Sequence, residues 1–308
     1  MIESVKNILS SFVPMKLITN NCNPILLYHS LGNNSKFAEN IDHVGLEILE
    51  TQLKNIQKYW KFVSIDEYVN AKSKKGLASL TIDDGYKNVI DDALEVFENL
   101  NTPFTIFINS STIDGKIFWR DKVRYLIEND LVQKFVNSSS LFEKNHIKKF
   151  YFVTKDPKFN SIQVEKNIDE FLLKENLKIN SSHKLCFDNE KYFIEHPLVS
   201  YGNHTASHYV LSSLSPQEQY HEIAECKKFI NRLNINKSDV FSMPFGGNQS
   251  FNSDTLSILH DLNYENILKS TNNLDTAISS NQINRFMPKT NELKQTIKKL
   301  YLKKIIKR

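Results

Sequence analysis

Three times along the chain a short apolar run gives way to a polar or glycine-containing turn and then to helical periodicity. No other feature restricts the fold as much. In "GLASLTIDDGY", Leu77 to Ile82 reads as a strand and the polar run opens at Asp83. Val89, Ile90, Ala93, Leu94, Phe97 and Leu100 then fall on one helical face. "NTPFTIFIN" follows with a turn and a second β-rich run, Phe104 to Ile108, so the whole reads as a β-α-β unit with parallel strands. In "HPLVSYGNHTASH" the strand is Leu198 to Tyr201. Its helix opens with Ser215 as N-cap, Pro216 at the first helical position and Glu218 completing a capping box. In "DVFSMPFGGNQSFNSDTLSILHDLNY", Val240 to Met243 is the strand, Gly246-Gly247 the turn, and Leu256, Leu259 and Leu262 the helix face.

This repetition predicts an α/β fold, a parallel sheet or barrel whose site gathers at the carboxyl ends of the strands. Asp83, Asp84, His204, His208 and Pro244-Phe245 all fall at or just beyond such ends. Residues 112 to 195 break the pattern. They are rich in Lys, Asn and Phe and helix-like, which predicts an insertion forming a lid or side wall.

The 308 residues are enough for a sizeable core, and 40% hydrophobic with 24% charged residues is an ordinary globular balance. Cys22, Cys186 and Cys226 are far apart and odd in number, which argues against a disulfide framework or a thiolate zinc site and for a reducing compartment. The opening "MIESVKNILSSFVP" has helical apolar spacing but lacks the unbroken apolar centre of a signal peptide, and no run is long enough to cross a bilayer. The expected location is cytoplasmic.

The net charge of +4 is unevenly spread. Residues 294 to 308 carry seven Lys or Arg and no acid, so the body is slightly acidic, which sets nucleic-acid binding aside. That tail, with Ile297, Leu300, Tyr301, Ile305 and Ile306 among the lysines, fits two roles. It is either a terminal helix laid on the domain or an interfacial helix making peripheral contact with anionic membrane.

Two histidines four residues apart, His204 and His208, can aim two ring nitrogens at one ion, and a carboxylate from another strand end would complete the set. "TIDDG" offers two adjacent carboxylates, one for metal and one for protons. Alone, each motif is weak: histidines at this spacing are common on surfaces, and "DDG" is usually a turn.

Together they resemble the polysaccharide deacetylases, the NodB-like carbohydrate esterase family 4. The family's T-F-D-D-G motif is matched by Thr81-Ile82-Asp83-Asp84-Gly85 and its H-[S/T]-x-x-H by His204-Thr205-Ala206-Ser207-His208. Its R-x-P-[Y/F] is matched in part by Ser242-Met243-Pro244-Phe245. "ILLYHSLG" and "FWRDKVRYLI" extend the resemblance over most of the chain.

The resemblance implies a single domain over 1–308, a distorted (β/α) barrel, to which the residue pattern adds the helical insertion at 112–195 and a basic C-terminal helix at 291–308. It further implies Asp84, His204 and His208 as ligands of a divalent ion, zinc foremost, with Co2+, Ni2+, Mn2+ or Fe2+ as alternatives. Asp83 would be the general base, and the Phe245 backbone N–H, after Pro244, an oxyanion donor. Thr205 is expected to have a local structural role.

Two departures stand out. Ser242 replaces the family's arginine, for which Arg285 in "QINRFMP" is the candidate replacement, a surface arginine being the plain alternative. The family's late L-x-H is not evident, since the only later histidine, His260, sits in a helical pattern. His29 in "LLYHS" is the candidate acid, with a hydrogen-bonded strand-end histidine as the plain alternative. The implied function is N-deacetylation of an acetylated saccharide or lipid-linked saccharide precursor. The rivals are a carbohydrate-binding barrel that has lost catalysis and an O-acetyl esterase using the same metal site.

Overall fold

The computed structural model describes residue 10 and residues 12–32, 42–113, 115–180, 184–274, 281–288 and 293–306. Its strands are β1 (Ile25–Tyr28), β2 (Ser30–Leu31), β3 (His43–Val44), β4 (Lys61–Val63), β5 (Leu77–Ile82), β6 (Phe104–Ile108), β7 (Val199–Asn203), β8 (Lys237–Ser242), β9 (Ile267–Ser270) and β10 (Gln282–Arg285). All pairings are parallel. The main sheet runs β1-β5-β6-β7-β8-β9-β10, with β4 on β5 as a branch.

Past its last strand the sheet returns to its first. Leu27 N–H donates to Phe286 O at 3.0 Å and Phe286 N–H to Ile25 O at 3.2 Å, giving a nearly closed barrel. Strands β1 and β6 are buried at every residue, the signature of parallel strands covered on both faces.

The helices are α1 (Met15–Asn21), α2 (Leu46–Gln57), α3 (Ile65–Asn70), α4 (Asn88–Asp91), α5 (Leu94–Asn99), α6 (Trp119–Glu128), α7 (Val132–Ser138), α8 (Phe150–Val153), α9 (Ser161–Lys174), α10 (Pro216–Arg232), α11 (Ser253–Asp261) and α12 (Leu293–Ile306). The expected start of α10 is present in full: Ser215 Oγ accepts from Glu218 N–H, the Glu218 side chain reaches back, and Pro216 takes a position needing no donor.

The periodic segment after Asp83 is two helices, not one. Ala93 N–H bonds the carbonyl of Asn88, five residues back, and this wide turn separates α4 from α5. Strand β7 runs two residues beyond the expected Tyr201, and β8 begins at Lys237, earlier than the expected Val240.

Between β6 and β7 the chain passes through α6–α9, which explains its phenylalanine content. Phe135 packs within 5.7 Å, centroid to centroid, of Phe142, Phe150 and Phe171, and Phe142 within 5.0 Å of Phe159. The inner face of α6 is buried at Trp119, Arg120, Val123 and Leu126.

The terminal helix α12 lays Leu293, Ile297 and Tyr301 on the domain, against α1 and α2, while Lys294, Lys303, Ile305 and Ile306 stay exposed. This is the docked arrangement anticipated as one of two for the tail. Residues 291–292 and 307–308 of that segment, and 1–9 of the amino-terminal helical pattern, lie outside the described residues. No helix among the described residues is long and apolar enough to cross a membrane.

Candidate active site

At the carboxyl end of β5 the chain turns sharply. Asp83 continues the strand, its N–H donating to Tyr28 O at the end of β1 (2.9 Å). Asp84 and Gly85 then swing into the left-handed region, with φ of 71° and 64°. The adjacent carboxylates therefore diverge, as their separate expected roles require.

Asp84 turns toward the histidines. Its Oδ1 lies 3.5 Å from His204 Nε2 and 3.3 Å from His208 Nε2. Asp84, His204 and His208 each offer a ligand atom, all within 4.8 Å of one another and all on buried residues.

The histidine segment is a turn and not a helix, and several elements hold it. Asn109 Nδ2, from the end of β6, donates to the carbonyls of His204 (2.6 Å) and Thr205 (3.2 Å). Asn203 Oδ1 accepts from Thr205 N–H, and Thr205 Oγ1 from His208 N–H (2.9 Å), the local structural part expected of Thr205. Glu222 of α10 takes Ser207 N–H at 2.7 Å, and Trp119 of α6 donates its indole N–H to His208 O at 3.1 Å.

These anchors hold unusual backbone. Thr205 (φ 67°), His208 (φ 58°) and Phe245 (φ 60°) all sit at positive φ, which costs roughly 1–3 kcal/mol each for side chains other than glycine. At Gly246 the requirement is absolute: a Cβ there would lie 2.2 Å from Ser270 N.

Three observations fit a cation at the triad. The buried Asp84 Oδ1 has no hydrogen-bond partner, which is costly for an ionised oxygen unless a positive centre faces it. His204 Nδ1–H donates to Ser242 O at 2.7 Å, which leaves the Nε2 lone pair aimed inward. One carboxylate with two imidazoles is also a donor set that zinc and its first-row neighbours accept.

The electrostatics agree. Burial alone would raise the Asp84 carboxyl, but His208 and His204 outweigh it and hold it well below the usual range. Burial, reinforced by His204 and Arg120, lowers His208 against the pull of Asp84. At His204 burial is outweighed by Asp83 and Asp84 and the net shift is upward, so an ion at Nε2 competes with a proton.

Asp83 belongs to a second cluster. Arg285, at the end of β10, grips it with both arms, Nη1 to Oδ1 at 2.8 Å and Nη2 to Oδ2 at 2.7 Å. Arg285 also donates to Ser242 Oγ (2.8 Å) and Thr81 Oγ1 (3.2 Å). Ser242 Oγ in turn donates to Asp83, 3.1 Å from each oxygen. Arg285 is fully buried, so the plain alternative of a surface arginine does not hold, and the small Ser242 side chain lets the guanidinium reach the carboxylate. Burial would raise the Asp83 carboxyl, yet Arg285 and His204 hold it below its ordinary value.

A cavity of about 200 Å³ opens onto these groups, lined by His29, Asp83, Asp84, His204, His208 and Phe245 among others. His29, half-buried after β1, has an Nδ1 without a hydrogen-bond partner, so it is not a satisfied strand-end histidine. The Phe245 ring packs on His208 with centroids 4.5 Å apart, and its N–H makes no hydrogen bond among the described residues. Pro244 is buried. His260 is on the far exposed face of α11, its side chain 91% accessible.

The same cavity is lined by Arg120, Arg124, Tyr151 and Lys155 from the insertion, and by Asp42. Sequence reasoning noted "FWRDKVRYLI" only as part of a resemblance. The signal lay in its two arginines at one-turn spacing on an otherwise buried helix face. Nothing local marks Lys155. A larger groove of about 730 Å³ runs beside the cavity along Trp119, Lys122, Glu165 and Tyr209, but none of the Asp/His constellation lines it.

Comparison with known proteins places these features in context. Residues 139–267 match a family described as polysaccharide deacetylase. No curated protein matches the chain in sequence. Among solved structures it is similar to the Streptococcus pyogenes deacetylase PplD in complex with acetate, at 18% identity and TM-score 0.51, covering 89% of this chain and 98% of that one. It is also similar to IcaB from Ammonifex degensii, at 15% identity and TM-score 0.52, covering 90% and 96%. A de-N-acetylase from Aggregatibacter actinomycetemcomitans matches at 12% identity and TM-score 0.50, covering 86% and 94%. At these identities the structural likeness speaks for the fold, the distorted parallel barrel.

Proposed function

We propose that this chain, whose residues 139–267 match the polysaccharide deacetylase family, is a divalent-metal-dependent hydrolase. It removes an N-acetyl group from a sugar of a surface-polysaccharide or glycolipid precursor. The observation that carries this reading is the convergence of Asp84, His204 and His208 beside a second, independently held carboxylate, Asp83.

A divalent ion bound by Asp84, His204 and His208 supplies Lewis acidity toward the acetyl carbonyl and lowers the pKa of water toward ~7. Asp83 takes the proton of the attacking water. Its grip by Arg285 and Ser242 keeps it ionised and fixes its direction, which offsets its reduced basicity. The Phe245 N–H donates to the oxyanion of the tetrahedral intermediate. His29, with an unpartnered ring nitrogen in the cavity, delivers a proton to the leaving amine.

The test is acetate release from N-acetyl and O-acetyl sugars by the metal-loaded protein, wild type against Asp83→Asn, with metal content measured in wild type and Asp84→Asn. Turnover lost in the first variant and metal lost in the second are expected. Release from O-acetyl sugars alone would make the protein an esterase. Bound metal with no turnover of any acyl saccharide would make it a binding barrel.

A further inference from the structure

The insertion brings into the cavity a buried cation that makes no direct ion pair among the described residues, Asp121 acting on it only from farther off. Arg120 is 98% buried by its 2% exposure, and no Asp or Glu lies within ion-pair distance of it among the described residues. Its partners are neutral: Nη1 donates to Thr154 Oγ1 (2.9 Å) and Nη2 to Tyr151 O (3.1 Å). Its guanidinium carbon lies 4.6 Å from the Trp119 ring centroid, 4.5 Å from that of Tyr151 and 5.7 Å from that of Phe245. Nε is buried with no hydrogen-bond partner at all.

A buried guanidinium whose direct partners are all neutral, with Nε unpaired, keeps a cost that an anion would offset. Lys155 supports this from the cavity mouth. Its Nζ sits 5.0 Å from the Tyr151 centroid and 5.8 Å from that of Phe245, again without a carboxylate in ion-pair distance among the described residues. Arg124, which also lines the cavity, is engaged by Asp121 at 2.5 Å and adds its field without being free.

We propose that Arg120 and Lys155 bind an oxyanion, a phosphate or carboxylate, borne by the same saccharide whose acetamido group enters the Asp/His site. This inference rests on the deacetylase reading and narrows its substrate to anionic sugars. A planar, always-charged guanidinium suits both oxyanions, and the phenyl and indole faces around it keep it rigid and poorly hydrated. The cavity of about 200 Å³ is sized for one sugar unit with its charged substituent, whatever it is attached to outside.

Two measurements on the full chain test this. The first is binding of inorganic phosphate by calorimetry, wild type against Arg120→Met and Lys155→Met. The second is kcat/KM for N-acetylglucosamine, its 1-phosphate, its uridine diphosphate ester and an N-acetylated aminouronate, in the same three proteins. We expect the anionic sugars to be preferred by about 10- to 100-fold, the effect of one or two charge-assisted hydrogen bonds. In both variants that preference falls toward unity and phosphate binding weakens by a similar factor. Which anionic arm is favoured tells a phosphate ester from a carboxylate.

Turnover without preference in wild type, or a preference unchanged in both variants, overturns the proposal and leaves the deacetylase reading intact. If no acetylated sugar is turned over, the deacetylase reading falls. Phosphate binding lost in the variants then still upholds the anion site, and phosphate binding that is absent, or equal in all three proteins, overturns it. Should Arg120→Met fail to fold, Lys155→Met, at a half-buried position, carries the comparison alone.

Discussion

Arg285→Met is the perturbation that most directly examines how this site is held. The substitution keeps the volume of the stem and removes two charge-assisted bonds to Asp83, of 2.8 and 2.7 Å, and those to Ser242 and Thr81. Asp83 is only 2% exposed, so its carboxylate is left buried with Ser242 as its remaining donor. Breaking a buried ion pair from one side costs about 3–5 kcal/mol. For a chain of this size that lowers Tm by on the order of 10 °C.

The catalytic loss is separate. If Asp83 is the base we propose, releasing it from its fork and displacing it by an ångström costs ~100-fold, and loss of base function altogether ~100- to 10,000-fold. Acetate release under saturating substrate measures kcat, and differential scanning calorimetry on the same samples measures Tm. The distinguishing step is the double variant Asp83→Asn/Arg285→Met. Removing the stranded charge must recover part of the lost stability while activity stays absent, a coupling that independent sites would not show. If Arg285→Met keeps wild-type Tm, or if Asp83→Asn restores none of it, Arg285 is not what neutralises Asp83 and the positioning argument fails.

Two further outcomes are expected. Glu222 is buried, and burial raises its carboxyl above the ordinary value against the pull of the Ser207 N–H. A raised acid loses stability for the fold as pH climbs from its unfolded pKa through its folded one, and a glutamine does not titrate. The Tm of Glu222→Gln minus that of wild type therefore increases between pH 4 and pH 7.5. A difference that stays flat or declines contradicts this. In α12, Ile297→Ala removes a side chain 1% exposed and should cost about 2–5 kcal/mol in denaturant unfolding, which a merely tethered tail would not do.

Much of this was legible beforehand because parallel strands buried on both faces are written as short apolar words between polar ones. Leu77–Ile82 and Phe104–Ile108 read without error for that reason. The metal-type triad was legible because its members lie at strand ends, where topology brings distant residues together. Arg285 could be nominated only because Ser242 left a role open, and its bond to Asp83 spans 202 residues. The gap between α4 and α5 had no signal: it depends on a single i to i−5 bond that any periodic sequence could have refused. Arg120 was signalled only by its spacing from Arg124 in "FWRDKVRYLI", and Lys155 by nothing local, because their meeting at the cavity depends on how the insertion packs on the barrel.

The reversed twist of the chain at Asp84, Thr205, His208 and Phe245 sets a bargain for anyone who would toughen this protein. Glycine at Thr205 would relieve the left-handed strain, yet it would also delete the buried hydroxyl that accepts the His208 N–H, strand that donor and loosen the unfolded chain, so the exchange brings no gain in stability. The residue that strains this backbone is thus also the one that holds the histidine turn together.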